Sequence, residues 1–127
     1  MKNKSLKPSL HPRLRILCGT VIAFGPGKAD LLDALQKTGS ITEASARLGM
    51  SYMRAWTLIR TMNRCFQEPL VVAIRGGTRG GGGAKLSETG RQALVLYRRI
   101  ETKSLESVRP DWRKFEKLLK TESLRKG

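Results

Sequence analysis

Arg54, Thr57, Thr61 and Arg64 recur at spacings of three and four, which lines hydroxyls and guanidinium groups along one side of a helix. Ser51 and Tyr52 stand at the start of that row and Arg60 beside it. These groups hydrogen-bond phosphate oxygens, and a guanidinium also pairs in bidentate fashion with a guanine edge. A second cationic set, Arg75, Arg79 and Lys85, brackets a run in which six of the eight residues from Gly76 to Gly83 are glycine. Glycine removes the side chains that would hold a backbone away from phosphates. Ser40 and Thr42 add hydroxyls where a short helix begins.

The whole composition leans the same way. Lysine and arginine number 25 against 10 carboxylates, a formal charge of +15 in 127 residues with a pI near 10.8. A chain this basic repels itself, and a polyanion is the usual reason to tolerate that repulsion. Catalysis finds no constellation: the carboxylates are scattered singly, and the one histidine, His11, lies in the N-terminal tail. Neither glycine run is a nucleotide-binding loop, because Lys85 is followed by Leu86 and Lys28 by Ala29, where a phosphate loop needs serine or threonine. Residues 14–24 form the longest apolar stretch, about half a bilayer span and interrupted by Arg15 and Gly19, so no membrane crossing is expected. Arg13 and Arg15 also spoil its likeness to a secretory signal. Cys18 and Cys65 suggest neither a disulfide framework nor a metal site and read as buried, reduced thiols.

Residues 1–12 are too polar to order themselves and read as a flexible basic arm. Residues 14–24 alternate with period two and read as a single strand, broken by Gly25-Pro26-Gly27. A first amphipathic helix over 28–38 carries Ala29, Leu31, Leu32 and Leu35 and ends at Gly39. Ser40 or Thr42 can cap a second, with Ile41, Ala44, Ser45 and Leu48 at helical spacing before Gly49. A third begins after Ser51 and runs to about Gln67, with Ala55, Ile59, Met62 and Phe66 on its apolar side. Short strands over 70–75 and 84–86 flank the glycine loop. Ser87 caps a helix packing Leu94, Tyr97 and Ile100, Pro110 interrupts it, and a last helix carries Trp112, Phe115, Leu118 and Leu119.

A short helix, a glycine turn and a longer helix with an apolar inner face meet the needs of a helix-turn-helix, in which the first helix braces the second against the major groove. Ala44 is small enough to let the two cross closely. A basic hairpin directly afterwards is a wing that can follow the phosphate backbone; the competing reading is a glycine linker between two arginines.

The motifs Gly25-Pro-Gly-Lys, Thr38-Gly-Ser-Ile, Gly49-Met-Ser-Tyr-Met-Arg-Ala-Trp, Asn63-Arg-Cys-Phe, Arg75-Gly-Gly and the run ending Ala84-Lys-Leu-Ser resemble the N-terminal domain of ModE-type, molybdate-responsive transcription regulators over residues 14–101. The helix pair is similar, more distantly, to the LysR-type DNA-binding domain. The resemblance implies a winged helix-turn-helix with an N-terminal strand, dimerised through terminal helices on a palindromic operator. Full regulators of that type continue into small molybdate-binding β domains, whereas this sequence ends at Gly127 after a basic helix, so molybdate sensing is not carried over.

The expected fold is therefore mainly α with a small β wing: a basic arm over 1–13, the winged helix-turn-helix over 14–105, and an amphipathic, C-terminal dimerisation helix over 106–127. The expected partner is double-stranded DNA, bound by a cytoplasmic, nucleoid-associated homodimer with no membrane role; no cofactor or metal is expected, and molybdate or another oxyanion finds no support in these residues. Ser51, Tyr52, Arg54, Thr57 and Arg60 are the base-reading candidates, and Ser40, Thr42, Arg75, Arg79 and Lys85 the backbone candidates. Arg54 can equally meet a phosphate, Tyr52 can equally brace its helix, and Trp56 reads as core or rim packing ahead of the alternative, a base contact. A non-specific architectural nucleoid or RNA-binding protein is the alternative, and a monomer with a folded-back last helix is the alternative to the dimer.

Overall fold

A computed structural model describes residues 7–74 and 83–120. The elements run β1 (Ile16–Cys18), β2 (Val21–Phe24), α1 (Pro26–Thr38), α2 (Ile41–Arg47), α3 (Tyr52–Cys65), β3 (Val71–Ile74), β4 (Gly83–Leu86), α4 (Glu88–Ser107) and α5 (Arg109–Glu116). Arg13–Arg99 is one compact unit, holding everything from the first hairpin to the first three turns of α4; the segments outside it form the other. The described chain is mainly helical, with two separate two-stranded antiparallel sheets.

The single strand expected over 14–24 is instead a hairpin. Gly19 adopts φ 63 and, with Thr20, closes a two-residue turn that pairs Cys18 with Val21. Glycine accepts that left-handed conformation without a Cβ penalty, and side-chain alternation alone does not reveal the reversal. Only Ala23 and Phe24 of the hairpin are buried. Cys18, read as buried, is exposed for the same reason, and Cys65 is half-buried at the last turn of α3.

Helices α1 to α4 each begin on a readable device. Pro26 starts α1 two residues ahead of the expected Lys28, since a proline in the first turn has no N–H to leave unpaired. Gly39, at φ 72, ends it by donating to the Leu35 carbonyl at 2.8 Å. Of the two hydroxyls proposed to cap α2, Ser40 does so, its Oγ accepting from the Glu43 N–H at 3.1 Å; Thr42 lies inside the first turn. Ser51 caps α3 in the same way, accepting from Arg54 N–H at 3.0 Å. Ser87 caps α4, accepting from Gly90 N–H at 3.0 Å while donating to the Pro69 carbonyl at 2.6 Å.

The core of the Arg13–Arg99 unit lies between α1, α2, α3, the β3–β4 pair and α4. Leu31, Leu32, Leu35, Ile59 and Leu70 are fully covered, each contributing about 1.5–3 kcal/mol over exposure. Phe24 packs edge-on against Tyr97, with ring centroids 5.0 Å apart, and against Phe66 at 6.1 Å. The Tyr97 hydroxyl donates to the Leu14 carbonyl at 2.6 Å, and Arg98 bridges α4 to Asp30 and Asp33 of α1 at 3.0 and 2.8 Å. Of the three residues expected to pack from this helix, Leu94 and Tyr97 are buried, whereas Ile100 is exposed. In the other unit, α5 ends at Glu116, so Leu118 and Leu119 fall beyond it, both exposed, and Trp112 stacks on Phe115 at 6.2 Å.

Candidate nucleic-acid interface

The α2–α3 turn sets α3 in place. Ala44 is wholly buried, and Gly49 at φ 68 reverses the chain while Met50 N–H donates to the Ser45 carbonyl at 3.0 Å. Helix α3 then buries Ala55, Ile59 and Met62 on one side, with Phe66 packed partly against the same core. Its other side is solvent-facing: Ser51, Tyr52, Arg54, Thr57 and Arg60 are all exposed. Thr57 Oγ1 donates to the Met53 carbonyl at 2.9 Å, leaving lone pairs to accept from a base or water. Arg54 and Arg60 form no ion pair with the described residues, so their charge is available to an anion.

The β3–β4 pair stands beside α3 because Asn63 ties the two together. Its Oδ1 accepts from the N–H of Leu70 at 2.8 Å and of Val71 at 3.2 Å, and its Nδ2 donates to the Val71 carbonyl at 3.2 Å. The other end of the pair is pinned where Ala84 N–H donates to the Gly39 carbonyl at 3.0 Å, and a side chain on Gly83 would collide with that same oxygen. Val71, Ala84 and Leu86 face the core while Lys85, opposite Val72, projects outward.

Between α2, α3 and these strands lies a cleft of about 490 Å³ walled by Ser40, Thr42, Tyr52, Trp56, Asn63 and Ile74 among others. It brings together three of the expected contact residues, Ser40, Thr42 and Tyr52, and adds Trp56, which is 38% exposed and so sits at the rim rather than in the core. Arg54, Thr57, Arg60 and Lys85 are not among the cleft walls. Arg75 and Arg79 lie outside the described residues, as does the glycine run before Gly83.

Residues 28–91, half of the chain, match the model of the bacterial regulatory helix-turn-helix proteins of the lysR family. The chain belongs to that family. The match begins inside α1 and ends in the first turn of α4, so it spans the helix pair and both wing strands of this lysR-family protein. Among relatives, the molybdenum transport protein ModE of Azotobacter vinelandii is 45% identical over 62% of the chain and 29% of that protein. The molybdenum-pterin-binding protein MopB of Rhodobacter capsulatus is 37% identical over 68% of the chain and 32% of its own length. The DNA-binding transcriptional dual regulator ModE of Escherichia coli (strain K12) is 38% identical over 57% of the chain and 27% of that protein. The chain thus spans between a quarter and a third of the length of these curated relatives.

Two residues of this lysR-family unit escaped sequence reasoning. Asn63 is one; a poor helix former in a helix interior is the signal that could have marked it. Lys28 is the other. Burial, more than the nearby Arg54 charge, holds its ammonium below the usual lysine range, against the opposing pull of Cys65. Two cations from the first turns of α1 and α3 that feel one another raise the local demand for an anion. Among the described residues no group of three or more His, Cys, Asp or Glu is arranged to hold a metal, and no helix is long and apolar enough to cross a membrane.

Proposed function

We propose that this chain is a sequence-specific, DNA-binding transcription regulator of the ModE type, acting as a homodimer at the nucleoid in the cytoplasm. The observation that carries it is the two-sidedness of α3: one side is sealed into the core by Ala55, Ile59 and Met62, and the other presents Arg54, Thr57 and Arg60 without ion-pair partners among the described residues. A rigidly seated helix with a cationic, hydroxyl-bearing outer side is suited to the major groove. Ser51, Tyr52, Arg54, Thr57 and Arg60 are the base-reading set; Ser40, Thr42 and Lys85, with Arg75 and Arg79 from the sequence, hold the sugar-phosphate rails. Dimerisation is assigned to the C-terminal segment from residue 106 onward, where Phe115 of α5 and Leu118 and Leu119 beyond it leave apolar area exposed.

The charge of +15 also favours a second reading, a coater of nucleic acid without an operator. Selection of bound duplexes from a random pool separates the two. A regulator enriches a palindrome with half-sites roughly 34 Å apart. A pool that emerges without sequence bias, bound equally well by RNA, replaces it with the coater.

A further inference from the structure

Cys18 and Cys65 come from opposite ends of the helix-turn-helix segment, yet the fold brings them together. The Cys18 Sγ, at the last residue of β1, lies 3.8 Å from the backbone carbonyl oxygen of Cys65, the last residue of α3. They are the chain's two cysteines, both are free thiols, and both lie in the Arg13–Arg99 unit. A carbonyl oxygen stands about 2.4 Å from its own Cα, so the Cys18 sulfur is within roughly 6 Å of the Cys65 Cα. A disulfide needs the two Cα atoms roughly 4.4–6.8 Å apart, and the Cys18 Cα stands a further side-chain length from its own sulfur. Closing the pair falls to a backbone shift of β1, a three-residue exposed strand paired among the described residues only with β2, and to χ1 rotations that aim the two sulfurs.

We propose that Cys18 and Cys65 are an oxidative modification site, joined by a hydroperoxide into a reversible intramolecular disulfide that closes a loop around β2, α1, α2 and α3. The exposed Cys18 thiolate attacks one oxygen of the hydroperoxide; the O–O bond breaks, the sulfur loses two electrons to become a sulfenic acid, and the alcohol or water departs with a proton. The Cys65 thiolate then attacks the sulfenic sulfur, the S–S bond forms, and the S–O bond breaks to release water. Lys28 lies within electrostatic reach of Cys65, a cation on hand for the attacking thiolate. Cys65 and Arg54 are eleven residues apart on α3, about 16 Å along its axis, so the bond forms at the far end of the helix from Arg54. Inside a reducing compartment such a pair acts transiently, under oxidant stress.

The test treats the full chain with hydrogen peroxide. The expected product is a monomeric chain lighter by two hydrogens, with both thiols closed to alkylation and a melting midpoint raised by roughly 10 °C until dithiothreitol reverses it. Cys18→Ser and Cys65→Ser show no rise and keep the remaining thiol open. A disulfide-linked pair of chains as the product, or a sulfinic acid on Cys18 while Cys65 still alkylates, overturns the proposal. Mass and thiol readouts do not depend on DNA, so the proposed DNA reading can fail while this one stands.

Discussion

The Asn63 side chain, in the last turns of α3, hydrogen-bonds the backbone N–H of Leu70 at 2.8 Å, where the chain enters β3. With its contacts to Val71, this one residue ties α3 to the start of β3. Asn63→Ala strips the partner from a fully buried residue's N–H, a cost of about 1–3 kcal/mol. Urea unfolding should show that loss. Asn63→Asp keeps the acceptor but not the donor to the Val71 carbonyl, so it should fall between; an alanine variant as stable as the native chain would refute the latch.

Two glycines should respond in opposite directions to alanine. A Cβ on Gly90 would press into the Leu70 carbonyl, because the start of α4 and the Leu70 backbone touch. Gly90→Ala must separate them and should cost about 1–3 kcal/mol. Gly27, in the first turn of α1, has open space where a Cβ would go and an ordinary backbone conformation. Gly27→Ala should therefore stabilise by about 0.4–1 kcal/mol by restricting the unfolded chain. Thermal melts of the pair check both signs.

The contrast between these positions shows what sequence alone could reveal. Helix-turn-helix and wing were legible because each helix carries its own punctuation: Ser40 and Ser51 as caps, Gly39 and Gly49 as left-handed stops, and apolar residues at helical spacing between them. The hairpin was not, because Gly19-Thr20 sits inside an alternation that reads equally well as one strand. Asn63, Gly83 and Gly90 act through contacts with distant segments, and no local pattern marks those. Trp56 was placed at the rim or in the core; it lies at the rim, because its turn of α3 borders the cleft rather than the packed side.

Lys28 links stability to pH with a definite sign. Its folded-state pKa is lowered, chiefly by burial, from the ordinary 10.5. Below the folded value it is charged in both states and the fold carries the desolvation cost. Between the folded and unfolded values the unfolded chain holds the extra proton, so stability rises with pH. Lys28→Met should therefore be more stable than the native chain at pH 7, with the gap narrowing as pH approaches 10.5. The same variant should bind DNA more weakly, its salt slope reduced by about one if Lys28 meets a phosphate. A destabilised variant whose deficit ignores pH would contradict the burial argument.

Arg54 and Lys85 divide the proposed labour between reading and gripping, and equilibrium binding can separate them. Arg54 is exposed in the first turn of α3, the end of a reading helix that enters the groove. Lys85 is exposed on β4, beside the strand that leads into the wing. Arg54→Ala should forfeit about 1–3 kcal/mol on the preferred duplex and little on random sequence, relaxing discrimination at one base pair. Lys85→Ala should weaken every duplex alike and lower the salt slope by about one, and Arg79, known here from sequence alone, should behave as Lys85 does. The informative quantity is the ratio of preferred to random affinity at fixed salt, because both contacts are cationic and both lose affinity as salt rises. If Arg54→Ala leaves that ratio as unchanged as Lys85→Ala does, Arg54 reads no base, and the guanidiniums on the outer side of α3 serve only to hold phosphate.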